Sequence, residues 1–310
     1  MMFHPKRVPI APALPARIVL LVLAAMAFPL MGIGEAIASG LPADAAKSAA
    51  VDPEAGEPYE ELDNLFRLSQ PYLRNLSPYQ PSYFLFGTPL THSKFQLSFK
   101  YRFFNPTAPL ARKYPWVSGF HFAYTQTSFW DLKSDSKPFE DTSYKPEFFY
   151  LSRKIPWWPG VKNGFFLQGG VHHESNGQSG DASRSTNLVY LSPVLVFYNP
   201  DSRLGIAITP RLKYYYDKSE ADNPNLPDYR GIFEVAVMVG KADGLVLGFT
   251  VRTAEKGTSI ESDLTYPMGA SWLESAQVYL HIQYVNALAE NLLHYQERTK
   301  AFRIGFSFVR

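Results

Sequence analysis

Lys94-Phe-Gln-Leu-Ser-Phe-Lys-Tyr-Arg-Phe-Phe104 places Phe95, Leu97, Phe99, Tyr101 and Phe103 at every second position, with Gln96, Ser98, Lys100 and Arg102 between them. Successive side chains of a β-strand point to opposite faces, so the stretch is one strand with an apolar face and a polar, cationic face. The pattern recurs along the chain. Phe120, Phe122 and Tyr124 alternate, and Leu204, Ile206 and Ile208 oppose Arg211 and Lys213. Phe233, Val235, Val237 and Val239 oppose Arg230 and Glu234, and Val278, Leu280, Ile282 and Tyr284 oppose Gln277, His281 and Gln283. Phe302, Ile304, Phe306 and Phe308 oppose Arg303 and Ser307. About twelve such segments follow one another from Ser82 onward, separated by clusters of Pro, Gly, Asn, Asp and Lys.

Two architectures satisfy this alternation: a soluble sandwich with an apolar core, and a membrane barrel whose apolar face meets lipid. The 310-residue chain has 19 Tyr and 23 Phe, 15% aromatic residues in all, which suits aromatic girdles at two membrane interfaces. At the N-terminus, Lys6, Arg7 and Arg17 precede an apolar run from Ile18 to Ile33 and the small-x-small site Ala36-Ile37-Ala38, the pattern of a signal peptide cut after Ala38. A bilayer forbids an open sheet edge, so the strands must close. The expected fold is therefore all-β: a transmembrane antiparallel β-barrel of about twelve strands over 82–310, after a signal peptide (1–38) and a periplasmic arm (39–81) with a possible short helix at Glu60 to Leu68. The absence of Cys excludes disulfides and thiolate metal sites, and a net charge of +2 without a basic run interleaved with aromatics argues against nucleic acid as a partner.

The chemistry concentrates in His172-His-Glu-Ser-Asn-Gly-Gln-Ser-Gly-Asp-Ala-Ser-Arg-Ser-Thr-Asn187. Phe165, Leu167 and Val171 share parity with His173 and Ser175, while Gln168, His172, Glu174 and Asn176 take the other face; beyond the loop, Asn187 shares a face with Val189, Leu191, Leu195 and Phe197. His173, Ser175 and Asn187 are thus expected on the lipid side, where polar residues are costly unless they work. Serine needs an imidazole to take its proton, and the imidazole needs an acceptor that fixes its tautomer. The side-chain carbonyl of Asn187 can serve without a charge that lipid would penalise. His172, of opposite parity, reads as a structural histidine inside the barrel. The Gly177 amide can face an oxyanion, and the loop Gln178 to Ser185 supplies carbonyls and the hydroxyls of Ser179, Ser183 and Ser185, hard ligands suited to calcium. Inward Lys and Arg read as a satisfied polar interior with little open lumen, and Trp157-Trp158 as interfacial belt.

His173-Glu-Ser175-Asn-Gly177 and Ser183-Arg-Ser185-Thr-Asn187, with Tyr124-Thr-Gln126-x-Ser128-x-Trp130, Ser136-Lys-Pro138-Phe139 and Thr142-x-Tyr144-x-Pro146 upstream, resemble the outer-membrane phospholipase A family. That resemblance implies a calcium-dependent acyl hydrolase of the outer membrane on a twelve-stranded barrel, acting on membrane phospholipids and active as a homodimer. It implies Ser175 as nucleophile, His173 as general base, Asn187 as orienting residue and Gly177 in the oxyanion hole. It further implies Ser183 and Gln178 as calcium ligands joined by Ser136 of a second subunit, with Gln126 in the dimer interface. Gln178 stands where family members carry Arg, and Thr186 where a large aromatic is common. The residues by themselves also allow a non-enzymatic channel or adhesin barrel whose loop binds calcium, or a lipopolysaccharide deacylase.

Overall fold

A computed structural model of the chain describes residues 70–156, 164–217, 223–269 and 278–310. The signal peptide, the expected short helix at Glu60 to Leu68 and Trp157-Trp158 lie outside the described residues. The strands are β1 (Leu76–Pro78), β2 (Ser82–Thr88), β3 (Ser93–Arg102), β4 (Phe120–Trp130), β5 (Phe139–Leu151), β6 (Gly164–Ser175), β7 (Ser185–Asn199), β8 (Leu204–Asp217), β9 (Phe233–Lys241), β10 (Val246–Ala254), β11 (Gly257–Pro267), β12 (Tyr279–Leu288) and β13 (Arg298–Val309). Two five-residue helices, α1 (Pro109–Lys113) and α2 (Leu226–Arg230), sit in connections. Among the described residues no helix is long and apolar enough to cross a membrane.

Every neighbouring pair is antiparallel, and pairing of β13 with β2 closes the sheet. β1 and β2 both pair with β3, as two pieces of one barrel strand, so the thirteen segments make a closed barrel of twelve strands. Closure leaves no unpaired edge, as a lipid environment requires.

Pairing begins at Leu76, ahead of the expected start at Ser82. Tyr79-Gln-Pro81 interrupts the strand by turning inward: the Tyr79 hydroxyl donates to Glu147 Oε1 (2.8 Å) and its ring stacks on Phe149 (5.2 Å). Side chains repair the gap, because Gln80 N donates to Ser98 Oγ (3.1 Å) and Ser98 N to Ser82 Oγ (3.1 Å).

The barrel is inverted relative to a soluble protein. Leu97, Phe99, Phe148, Val171, Leu191, Tyr214, Phe249, Ile304 and Phe306 are exposed on the outside, while Lys94, Glu147, Glu174, Lys213, Gln283 and Arg303 are buried within. Interior charges are paired: Lys213 with Glu234 (2.8 Å), Arg303 with Glu290 (2.7 Å), and Lys94 with Glu290 (3.2 Å). Filling is incomplete, since a cavity of about 540 Å³ remains in the lumen, with Lys94, Glu147, Glu174, Lys213, Glu234 and Glu290 in its lining. At one end the connections carrying Leu226, Leu292 and Tyr295 pack with Leu188 and Tyr215 into an apolar plug. Asp141 fastens it by accepting from the amides of Leu292 and Leu293 (both 3.1 Å).

Candidate active site

β6 and β7 meet through the loop Asn176 to Arg184 at the plugged end of the barrel. The register sets His173 opposite Asn187 and Ser175 opposite Ser185. The buried residues of both strands share one parity, Gln168 and Glu174 on β6 and Thr186, Leu188, Tyr190 and Ser192 on β7. His173, Ser175 and Asn187 therefore stand on the outer face with the exposed Val171, Val189 and Leu191. His173 Nδ1 and Asn187 Oδ1 are 2.8 Å apart, and an amide oxygen can only accept, so Nδ1 carries the proton. The lone pair of Nε2 is left free to act as a base. Ser175 follows two positions along the strand, about 6.6 Å of rise, within the span an imidazole and a serine cover together.

The inward neighbours of these residues anchor β6 from behind. Glu174 holds Arg230 at the end of α2 (2.5 Å), and Arg230 donates onward to the Ala289 carbonyl (3.1 Å). His172 Nδ1 lies 3.3 Å from Glu147, which also accepts from the hydroxyls of Tyr79 and Tyr190. His172 thus points inward, the direction that its parity predicts. Thr186, beside Asn187, is likewise buried.

The β6–β7 loop is organised by Asn176, which sequence reading placed only as inward-facing. Its Oδ1 accepts from the amides of Gln178 (3.2 Å) and Arg184 (3.0 Å), its Nδ2 donates to the Ala182 carbonyl (2.9 Å), and its own amide donates to the Arg184 carbonyl (3.0 Å). One buried side chain thereby ties both ends of the loop together. The only legible signal was its position directly after the serine. Gly177 follows with φ +66°, a conformation that disfavours a side chain, and a Cβ there would stand 3.0 Å from the Tyr144 ring. Its amide donates to no group among the described residues. On the far side, Asn223 Oδ1 accepts from the Ser185 amide (3.1 Å).

Gln178 and Ser183 share this loop. The Ser183 amide donates to Gly180 (3.0 Å) and its carbonyl accepts from Arg184 (2.7 Å), while the Ser183 hydroxyl and the Gln178 carbonyl make no hydrogen bond among the described residues. Two neutral oxygens in one loop fit part of the shell of a hard cation, which takes six to eight oxygens, so further donors must come from water or a second chain. Among the described residues no group of three or more His, Cys, Asp or Glu could hold a metal. Ser136 lies in a different connection at the same end, between β4 and β5. That connection is fixed by Asp131, whose carboxylate accepts from the Ser134 hydroxyl (2.5 Å) and from the amides of Lys133 (2.9 Å) and Ser134 (3.1 Å). These contacts, the hydroxyl foremost, hold the Asp131 carboxyl below its ordinary range.

Gln126 faces outward on β4. Register places Leu97, Gln126, Tyr144 and Ser175 in one row across β3 to β6, so Gln126 and the nucleophile candidate belong to the same outer surface. The Tyr124 hydroxyl donates to Gln126 Oε1 (3.3 Å), and Thr142 Oγ1 donates to Ser128 Oγ (3.1 Å), satisfying polar groups on a face otherwise meant for lipid.

The model of the phospholipase A1 family matches residues 78–308. The chain belongs to the phospholipase A1 family. Among curated relatives, the phospholipase A1 of Salmonella typhimurium is 27% identical over 196 residues, covering 59% of this chain and 60% of that protein. The phospholipase A1 of Escherichia coli K12 is 25% identical over 191 residues, with the same coverage, 59% and 60%. The chain spans 48–60% of the length of the curated relatives it matches. Among solved structures, outer membrane phospholipase A from Escherichia coli superposes with a TM-score of 0.60 at 22% identity, over 77% of this chain and 96% of that one. The Salmonella typhi outer membrane phospholipase, a dimer with bound calcium, gives 0.59 at 22% identity, over 76% and 92%. These likenesses bear out the barrel, whose exterior is apolar as a lipid-facing surface requires.

Proposed function

We propose that this chain is a calcium-dependent outer-membrane phospholipase A that hydrolyses acyl esters of glycerophospholipids and lysophospholipids at the outer face of its barrel, in a homodimer. The observation that carries the reading is the 2.8 Å hydrogen bond from His173 Nδ1 to Asn187 Oδ1 on the lipid-facing surface, on the strand that ends in Ser175.

Ser175 Oγ attacks the ester carbonyl carbon as His173 Nε2 takes its proton, and Asn187 steadies the resulting imidazolium through Nδ1–H. The Gly177 amide faces the oxyanion. Collapse breaks the ester bond: the proton on His173 passes to the leaving alkoxide of the lysophospholipid, and the acyl group stays on Ser175. Water then enters by the same base, and fatty acid leaves. The Gln178 carbonyl and the Ser183 hydroxyl, with Ser136 of the partner subunit, would hold calcium, which would supply positive charge to stabilise the oxyanion. The row that links Gln126 to Ser175 supports an interface shared with a second copy, and substrate enters sideways from the membrane.

The test is fatty-acid release from phospholipid micelles by the full chain with and without a chelator, beside Ser175→Ala. Loss in both arms supports the reading, and release in either contradicts it. Hydrolysis of lipopolysaccharide in place of phospholipid would shift the substrate, and conductance across a bilayer without hydrolysis would favour a channel.

A further inference from the structure

At the end of the barrel opposite the site, the connections on one side are built differently from those on the other. β7 to β8 and β9 to β10 are joined by tight turns whose charges cancel in the Arg203–Asp243 pair (2.5 Å). Between β3 and β4 the chain instead folds into α1 and a 3-10 turn, Pro115–Gly119. This segment buries Ala111 and Val117 against the barrel end and leaves Leu110, Tyr114 and Trp116 at 47, 43 and 55% exposure. Beside it, the 3-10 turn Pro71–Asn75 is tied on by Asn105 Nδ2 donating to Asn75 Oδ1 (2.8 Å), and it exposes Tyr72 and Leu73.

Two properties identify what this collar faces. It is continuous with the lipid-facing band: Trp116 packs edge-on to Phe120 (6.0 Å), and Phe120 to Tyr150 (5.2 Å), both on the outer face. Its charge is also of one sign. Residues 70–81, 101–120 and 148–156 contain Arg74, Arg102, Arg112, Lys113, Arg153 and Lys154 and no Asp or Glu. Of these, Arg102 turns inward to His121 (3.3 Å), and Lys113 Nζ lies 5.2 Å from the Tyr114 ring, its stem over an aromatic surface. At the site end, by contrast, Lys133 and Lys137 alternate with Asp131 and Asp135. Exposed aromatics at the rim of an apolar band, edged by Arg74, Arg112, Lys113 and Arg153, which form no ion pair among the described residues, are the chemistry of a surface seated among anionic headgroups.

We infer that this collar binds the headgroups of anionic glycerophospholipids in the leaflet on the side away from the candidate site, a second lipid contact of different purpose from the first. It rests on the membrane-barrel reading but not on hydrolysis.

The test uses the full chain in phosphatidylcholine vesicles, with flotation first showing incorporation; failure to float breaks the barrel reading itself. Spin-labelled phosphatidylglycerol or phosphatidylcholine is then added as a trace, and the immobilised fraction is read by electron spin resonance. Each basic residue near an anionic surface contributes about 1 kcal/mol, about five-fold in binding, so a preference for phosphatidylglycerol of about five-fold or more is expected at low salt. It should fall to about one in Arg74→Gln/Arg112→Gln/Lys113→Gln/Arg153→Gln and persist in Arg203→Gln. Equal immobilisation of the two lipids by the wild type, or a preference that survives the quadruple substitution, would overturn the inference. So would disulfide linkage of Trp116→Cys between copies in the membrane, which would assign the collar to a second chain.

Discussion

Two serines in this barrel stand in line with an imidazole and an oxygen acceptor, one outside and one inside. Inside, Ser307 Oγ lies 2.9 Å from His281 Nδ1, and His281 Nε2 lies 2.8 Å from Asp263 Oδ1. Outside, only the His173 to Asn187 bond is formed, and Ser175 Oγ has no hydrogen-bond partner among the described residues. By hydrogen bonding alone the inner set is the more complete. Its serine, however, has 0% exposure, its histidine packs edge-on to Tyr83 (5.2 Å), and Gln283 shares the Asp263 carboxylate (2.8 Å). No ester can reach it. The outer serine ends a strand on the lipid face, before a positive-φ glycine whose amide is available. The difference teaches that a serine, an imidazole and an oxygen acceptor are a structural link where they satisfy one another in the wall, and a candidate site where a substrate has access.

Substitutions at paired positions sharpen that contrast. The largest gap is expected between the histidines: His173→Ala should lower phospholipid hydrolysis by about 10³-fold or more, and His281→Ala should leave the rate per folded molecule within about two-fold. Equal losses, measured on refolded protein in micelles, would erase the distinction. Next, Asn187→Ala should cost about 10- to 100-fold in kcat with KM little changed, because a neutral orienting group positions the base without carrying charge, whereas Asp263→Asn should not alter the rate. Asn176→Ala removes three side-chain hydrogen bonds from the loop and should raise the calcium concentration for half-maximal activity by about ten-fold, read by a calcium titration of hydrolysis.

The smallest effects concern stability inside the barrel. His281→Leu strands the Ser307 hydroxyl and part of the Asp263 carboxylate, at a cost of about 1–3 kcal/mol in denaturant unfolding, while His173→Leu on the outer face should cost less. Glu290, in the connection between β12 and β13, is pushed up by burial but drawn further down by Lys94 and Arg303, to about 2. A carboxyl held below its unfolded value stabilises the fold above that ordinary value, and the contribution fades as pH falls from about 4.5 toward 2. Wild-type barrel stability should therefore drop across that window, and Glu290→Gln should flatten the drop.

Much of this was readable in the sequence because a barrel strand encodes its faces with a period of two. Lys94–Phe104 announced the inverted barrel, and parity alone separated His173, Ser175 and Asn187 from His172 and Glu174. What was not readable depends on distances that parity does not carry. The strand ladder is interrupted over Tyr79-Gln-Pro81, where Tyr79 bonds to Glu147, so the first pairing residues, Leu76–Pro78, read as part of the arm. The role of Asn176 rests on where the amides of Gln178 and Arg184 fall in an irregular loop. The Ser307–His281–Asp263 link required the register of three strands that are 44 residues apart at their extremes, from position 263 to position 307.

The central claim is that Ser175, not the better-bonded Ser307, is the working nucleophile. Labelling the intact protein in micelles with a serine-reactive sulfonyl fluoride in the presence of calcium, followed by peptide mass spectrometry, tests it directly. The modification is predicted on Ser175, with loss of hydrolysis in proportion, and its disappearance is predicted in His173→Ala. Modification of Ser307, or full loss of hydrolysis with Ser175 unmodified, would contradict the account.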